Sequence, residues 1–519
     1  MKKLAIVFLF VAALVFLLQP SAFSFNSSNW YYTSFLQNPS ENAASCNFSP
    51  LFHAYNLLWK PFEFAGVSIQ AFWLLLSLAI AAIGVFLQYK WVELASGSKK
   101  IALAAALLSF VFIDFLAPVT LPAPRHFAFF IFMPLAYYAF FSLLRKINVR
   151  SQILLTVSTA ALIATNAMFG LFFAVSIASF YVALVLAKKL DKYSIPLTAI
   201  PLLVGVAIAT PILHGQVSLL SSTTPSFSYS NWEEWGINIL GTWTANPAKI
   251  FYAKGQTFFL GLLFAISLFF SAKFILSAMK RQNTEDEDFD FKLFAASNVL
   301  VGTVILFTPL GGLIAKIISP GVFVENFIKF IPFYLAIPLG LAYAVRQSLK
   351  LAEKKAQIAL ALGLLLVLAY PLYSYASAFA NPQPSEKDFL GGLSAKEIVG
   401  KADGGVILTD FYTSYLLSTA GGGKAIGPNP GYNVCLSQKQ TLEITNSNLL
   451  FSANSPQHAR DLAEAAGVKM VFLNEHFWEW RLNERTASSG YAYPQSFEEA
   501  KKVFDSYGWK NEGSFYYPA

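Results

Sequence analysis

The chain has 519 residues, of which 55% are hydrophobic, 16% aromatic and 13% charged, with 50 Phe and a formal net charge of +8. A soluble domain carries about 25% charged residues, so half of the expected surface charge is missing. With a mean hydropathy of +0.51, the composition excludes an ordinary water-soluble globular protein and describes a polytopic membrane protein.

About eleven apolar runs read as membrane spans, a bilayer requiring roughly 17–25 residues for each. They lie near 4–24, 67–88, 101–120, 127–144, 152–165, 168–187, 194–213, 256–279, 293–315, 327–345 and 356–378. The first follows Lys2-Lys3 and precedes "PSAFS", so a cleaved signal peptide is the alternative reading there. The stretch "ILLTVSTAALIATNAMFGLFFAVSIASFYVALVLA" is too long for one span and is broken at Thr165-Asn166 as a tight hairpin.

The positive-inside rule orients these spans. With the N-terminus inside, Lys2, Lys3, Lys90, Lys99, Lys100, Arg145, Lys146, Arg150, Lys188, Lys189 and Lys192 face the cytoplasm. Lys280, Arg281, Lys292, Arg346, Lys350, Lys354 and Lys355 join them, while the opposite loops hold Lys60, Arg125, Lys249 and Lys254. The net charge therefore reports orientation and gives no sign of nucleic acid binding. The acidic "TEDEDFD" (284–290) reads as a solvated cytoplasmic loop.

An odd span number puts the tail outside. It also puts the loop "QNPSENAASCNFSPLFHAYN" (37–56) outside, so Cys46 and Cys435 both face the oxidising side. They are the only cysteines, and a disulfide between them is expected, two unrelated thiols being the other reading.

After Phe379, "NPQPSEKDF" is a polar linker. "GGVILTD" (404–410) reads as a strand ending in a carboxylate, "YTSYLLSTA" as a helix ended by Gly421-Gly422-Gly423, and "SPQHARDLAEAAG" as a Ser-capped helix with a Gly stop. "VKMVFLNE" is a second strand, "SFEEAKKVFDSYG" another capped helix and "GSFYYP" a last strand. No P-loop, GxGxxG, GxSxG or CxxC occurs. The expected fold is thus an α-helical polytopic membrane protein with a small C-terminal extracytoplasmic α/β domain. Its divisions are 1–378, with outer loops 25–66 and 214–255, and 379–519.

Four features in this order resemble the GT-C glycosyltransferases, polytopic enzymes that use lipid-phosphate-linked sugars. A single span precedes a long outer loop bearing an acid. That loop returns to the membrane through "SPLFHAYNLLW". The short turn "PVTLPAPRHFAFF" precedes the fourth span, and the outer tail "VILTDFYTSYLLSTAGGGKAIG … AEAAGVKMVFLNE … FDSYGWKNEGSFYYP" looks like their C-terminal domain. The resemblance implies a membrane glycosyltransferase of hexosyl type. It would move a sugar from a polyprenyl-phosphate donor to a glycan, lipid or protein acceptor at the outer face of the cell membrane.

Such chemistry needs a carboxylate to deprotonate the acceptor or hold a metal, and cations for the departing phosphate. The resemblance implies Glu41 as the catalytic carboxylate, although family members more often carry Asp or an acidic pair in this loop. Asp114, in "SFVFIDFLAPVT", lies inside a span, where an unpaired carboxylate is costly. A second catalytic carboxylate and a structural partner of Arg125 are both open readings. Arg125 and His126 lie across the turn, and Lys329, in "PGVFVENFIKFIPFY", stands where relatives often carry an Arg that contacts the lipid phosphate; an ion pair with Glu325 is the plainer reading. His53 and Tyr55 shape the return into the second span or touch substrate. "NWEEWG" (231–236) fits an outer interface, and Asp410 fits a helix cap. Whether a divalent cation, Mg or Mn, assists is open. A non-catalytic scaffold that binds lipid-linked glycan or a partner protein is the competing class; a transporter is weaker, no inverted repeat being visible.

Overall fold

The computed structural model describes residues 9, 12, 13, 50–111, 124–165, 167–190, 194–222, 268–280, 289–307, 386–427, 449–451, 453–476 and 496–518. Glu41, Cys46, Asp114, Lys329, Cys435 and the segment 231–236 lie outside the described residues. The chain divides into two compact units: Met1–Gln19 with Trp73–Val217 and Ser226–Ala380, and Pro20–Phe72 with Ser218–Pro225 and Asn381–Ala519.

The first unit is helical. Its described helices are α2 (Ile69–Ser96, whose first turn belongs to the second unit), α3 (Lys99–Val111), α4, α5 (Val149–Thr165), α6 (Ala167–Leu186), α7 (Ser194–Ser222, whose end from Ser218 belongs to the second unit), α8 (Leu268–Met279) and α9 (Phe289–Phe307). Helix α4 has three parts: Pro124–Phe127, a π-helical Ala128–Phe132 and Met133–Arg145. Among the described residues, three segments are long and apolar enough to cross a membrane, Ala71–Ser96, Ala128–Arg145 and Phe169–Leu186, and there are shorter apolar helices as well.

Its surface is that of a membrane protein. Ile83, Phe86, Val157, Val182, Ile200, Leu203 and Ile208 are exposed, while the interior is packed by rings and small residues, the means by which helices associate where burial from water offers no drive. Trp91, Tyr137, Phe141, Phe180 and Phe294 form its centre: ring centroids are 5.0 Å apart for Trp91–Tyr137, 5.2 Å for Phe141–Phe294 and 5.8 Å for Phe180–Phe294. The buried Tyr137 hydroxyl donates to Ser176 Oγ at 3.0 Å, which satisfies a polar group that would otherwise be costly there. Small residues close the gaps. A Cβ on Gly170 would lie 2.4 Å from Ile163 Cγ1, and one on Gly205 2.8 Å from the Thr156 carbonyl oxygen.

Helix α5 ends at Thr165 and α6 starts at Ala167, so the long apolar stretch does divide at the expected place. Elsewhere helices overrun their expected limits. Helix α2 reaches Ser96 instead of 88, because its last turns carry their own polar pairs: Tyr89 Oη and Lys90 Nζ both donate to Glu93, at 3.1 Å each. At 28 residues it is ~42 Å long at 1.5 Å per residue, more than a bilayer core requires. Helix α7 runs through Pro201 and Pro211 to Ser222, past the expected limit at 213, and α9 begins at Phe289, before the expected 293.

The second unit contains α1 (Pro50–Phe64) and an α/β domain. Helix α1 holds Trp59 and Phe62 against Phe72, at 5.1 and 5.3 Å between centroids. The α/β domain runs α10 (Glu386–Phe389), α11 (Ala395–Lys401), β1 (Val406–Leu408), α12 (Phe411–Thr419), β2 (Lys424–Ile426), α13 (Pro456–Ala465), β3 (Val468–Phe472), α14 (Phe497–Ser506), β4 (Lys510–Glu512) and β5 (Phe515–Tyr517). The sheet order is β2-β1-β3-β5-β4; β1 is parallel to β2 and β3, and β5 is antiparallel to β3 and β4.

The expected caps are in place. Ser455 Oγ accepts from His458 N–H at 3.2 Å and Ser496 Oγ from Glu499 N–H at 3.1 Å, satisfying first-turn donors that the helix itself leaves unpaired. Gly467 and Gly508 follow the two helices at φ +66° and +69°. Two hydrophobic layers flank the sheet, one around Leu450, Phe504, Trp509 and Tyr516, the other around Ile398, Ile407, Leu417 and Met470. Tyr507 anchors the loop before α13: its hydroxyl donates to Leu450 O at 2.8 Å and accepts from Ala453 N at 3.1 Å. Burial raises its pKa above the ordinary phenol value.

Candidate functional site

Of the residues singled out by sequence, His53 and Tyr55 lie on α1, in the second unit, and Arg125 and His126 open α4, in the first. The structure thus brings Arg125 and His126 onto one helical turn. Glu41, Asp114 and Lys329 being outside the described residues, their distances to this turn are not part of the geometry.

The entrance to α4 has a local cause. Pro134 lacks an N–H, so the ladder leading into Met133–Arg145 cannot be regular, and Met133 N–H donates to Ala128 O across a π turn instead. The wider turn seats Phe129 and Phe130 in the core, with centroids 5.0 Å apart and Phe129 5.8 Å from Phe169. His126, one turn earlier, is 2% exposed. π turns are frequent at functional sites, and an ionisable residue within a membrane helix is by default a candidate for function. The sequence signal for the π turn was Pro134 in "FMPLAYY", which the span assignment did not use.

The second polar concentration lies where β1 and β3 end. Thr409, Asp410, Thr413 and Asn474 are all buried, at 0%, 0%, 0% and 2% exposure. Asp410 Oδ1 accepts from Thr413 N–H at 2.9 Å and caps α12, as expected from sequence. Asn474 Nδ2 donates to Thr413 Oγ1 at 3.0 Å, and Ser414 N–H to Asp410 O at 2.9 Å. Asn474 and Thr413 were not singled out in advance; the signal was that "VILTD" and "VFLNE" both end an apolar strand in polar residues. The carboxyl ends of neighbouring parallel strands are where open α/β sheets bind ligands. Here Asp410 Oδ1 is committed to the N-terminus of α12, which gives this carboxylate a capping role.

Among the described residues no group of three or more His, Cys, Asp or Glu could hold a metal ion.

By sequence, no family model and no curated protein matches the chain. By structure, it is similar to the oligosaccharyltransferase of Archaeoglobus fulgidus in a crystal structure with zinc and sulfate, at a TM-score of 0.58 and 14% identity over 96% of this chain and 70% of that one. The oligosaccharyltransferase AglB from Archaeoglobus fulgidus, bound to an inhibitory peptide and a dolichol-phosphate, matches at a TM-score of 0.51 and 14% identity, over 91% of this chain and 69% of that one. The mycobacterial arabinofuranosyltransferase AftD matches at a TM-score of 0.51 and 15% identity, over 91% of this chain and 36% of that one. These neighbours are GT-C fold glycosyltransferases, and this chain shares their fold.

Proposed function

We propose that the protein is an integral membrane glycosyltransferase that transfers a sugar from a polyprenyl-phosphate donor to a glycan, lipid or protein acceptor at the outer membrane face. The observation that carries this reading is the likeness over 96% of the chain to an oligosaccharyltransferase, a related protein having been solved with a dolichol-phosphate. In the reaction, an acceptor oxygen or nitrogen attacks the anomeric carbon, and the bond from that carbon to the phosphate oxygen breaks with its electron pair going to the phosphate. Glu41 takes the acceptor's proton, and Asp114 is the second carboxylate. Arg125 and Lys329 meet the phosphate charge, which a cation stabilises more as the bond breaks. His126, beside Arg125 at the mouth of α4, and His53 and Tyr55 on α1 contact substrate. The domain 379–519 is extracytoplasmic, and a disulfide between Cys46 and Cys435 ties the loop bearing Glu41 to it.

The test is release of polyprenyl phosphate by the purified full chain from radiolabelled polyprenyl-phosphate sugars, with membrane glycans, lipids and peptides offered as acceptors. Release that requires an acceptor is the expected result. Donor binding without release across the series would instead support a scaffold that holds lipid-linked glycan.

A further inference from the structure

One end of the helical unit gathers cations where α4 and α6 finish and α9 begins. Arg145 lies in the last turn of α4, and Lys188 and Lys189 follow α6. Lys189 Nζ lies 4.8 Å from the Phe289 ring centroid, and the charges of Lys189 and Arg145 both reach Asp290. Three chain segments thus share one charged corner, and Arg145, Lys188 and Lys189 are exposed on it.

The backbone at this corner is unusual. Helix α6 stops with Lys189 N–H donating to Leu184 O at 3.0 Å and Lys188 N–H to Val185 O at 2.9 Å, the paired bonds of a stop that places glycine in the left-handed region. Here that residue is Lys188, at φ +54°, a conformation strained for any residue with a Cβ. The neighbouring surface is apolar: Val182, Val185 and Leu186 on α6 are 59%, 53% and 45% exposed. Lysines therefore stand directly beyond a stripe suited to acyl chains.

We propose that this corner binds the phosphate of an anionic phospholipid, its headgroup on Lys188, Lys189 and Arg145 and its chains along the exposed face of α6. Basic pockets between membrane helices hold such headgroups. The plainer roles of these cations, complementing helix C-termini and orienting spans, are indifferent to the headgroup. The acidic residues 285–288 lie just before Phe289, outside the described residues, so the test uses the full chain with that stretch in place.

The protein is embedded in nanodiscs of phosphatidylcholine with a minor share of phosphatidylglycerol, and the lipids retained through delipidation are counted by native mass spectrometry. The wild type should retain phosphatidylglycerol preferentially, and each of Lys188→Gly, Lys189→Gln and Arg145→Gln should weaken retention about fivefold, the expectation for one charge near an anionic surface. Lys188→Gly also relieves the strained backbone, so in pure phosphatidylcholine it should melt no lower than the parent, separating lost binding from lost folding. Equal retention of the two lipids by the wild type, or undiminished preference in the triple variant, would overturn the proposal. Displacement of the lipid by millimolar inorganic phosphate would overturn it too, by showing a site for free phosphate.

Discussion

Asn474 Nδ2 donates to Thr413 Oγ1 at 3.0 Å, which links the end of β3 to the first turn of the helix that follows β1. Thr413 N–H in turn donates to Asp410 Oδ1 at 2.9 Å, so three buried side chains act as one lock between neighbouring strands. Each member satisfies a polar group that would otherwise be buried unpaired.

Asn474→Ala should therefore cost the α/β domain about 1–3 kcal/mol, the usual consequence of leaving a buried group unsatisfied. Asp410→Asn, which keeps an acceptor for Thr413 N–H, should cost less than Asp410→Ala. Hydrogen exchange at Met470 and Val471 reads this directly: faster exchange in Asn474→Ala is expected, and unchanged exchange would show that the strands do not depend on the lock.

The two glycines at helix contacts make a paired prediction. Gly170→Ala drives a methyl to 2.4 Å from Ile163 Cγ1, whereas Gly205→Ala meets the Thr156 carbonyl oxygen at 2.8 Å. Overpacking of this kind costs typically 1–3 kcal/mol. Ile163→Ala should largely restore the melting temperature of Gly170→Ala, since a side chain is the main obstacle. Thr159→Ala should not restore Gly205→Ala, because a backbone atom remains in the way.

The Ser394–Glu397 capping box makes a pH prediction for α11. Glu397 accepts from Ser394 N and Oγ, at 2.6 Å each, and these bonds hold its carboxyl below the usual range. A depressed folded-state pKa means that the contribution is present above the unfolded carboxyl's titration and is lost as pH falls through the lower folded value. Protection of the Ile398 amide should decline across that acidic window, and Glu397→Gln should flatten the profile.

Periodicity and punctuation made much of this legible. The break at Thr165-Asn166, the Ser455 and Ser496 caps and the Asp410 cap all follow from local rules that depend on a few adjacent residues. Helix lengths were less legible: α2 outruns its apolar stretch because Tyr89, Lys90 and Glu93 pair along the helix, which a hydropathy window cannot register. The short strands β2 and β4 carry exposed residues and gain their form by pairing, β2 with β1 and β4 with β5 across a tight turn. The Asn474–Thr413 bond joins residues 61 positions apart; only the shared polar strand endings announced it.

The proposed topology places residues 284–290 inside and the C-terminus outside. A reporter fused after Ala519 should be active outside, and one inserted within 284–290 should be active inside. An outward signal from 284–290 would overturn the orientation from α8 onward. With both cysteines outside, the non-reduced protein should resist maleimide labelling at Cys46 and Cys435 together; labelling of both would exclude the disulfide.

The proposed chemistry turns on Glu41. The deciding measurement is the rate of polyprenyl phosphate release from a labelled donor, comparing the wild type with Glu41→Gln at matched melting temperatures. The amide keeps the shape of the side chain but cannot take the acceptor's proton, so release should fall by at least 100-fold, within the range a general base supplies. Release at the wild-type rate by Glu41→Gln would contradict the assignment.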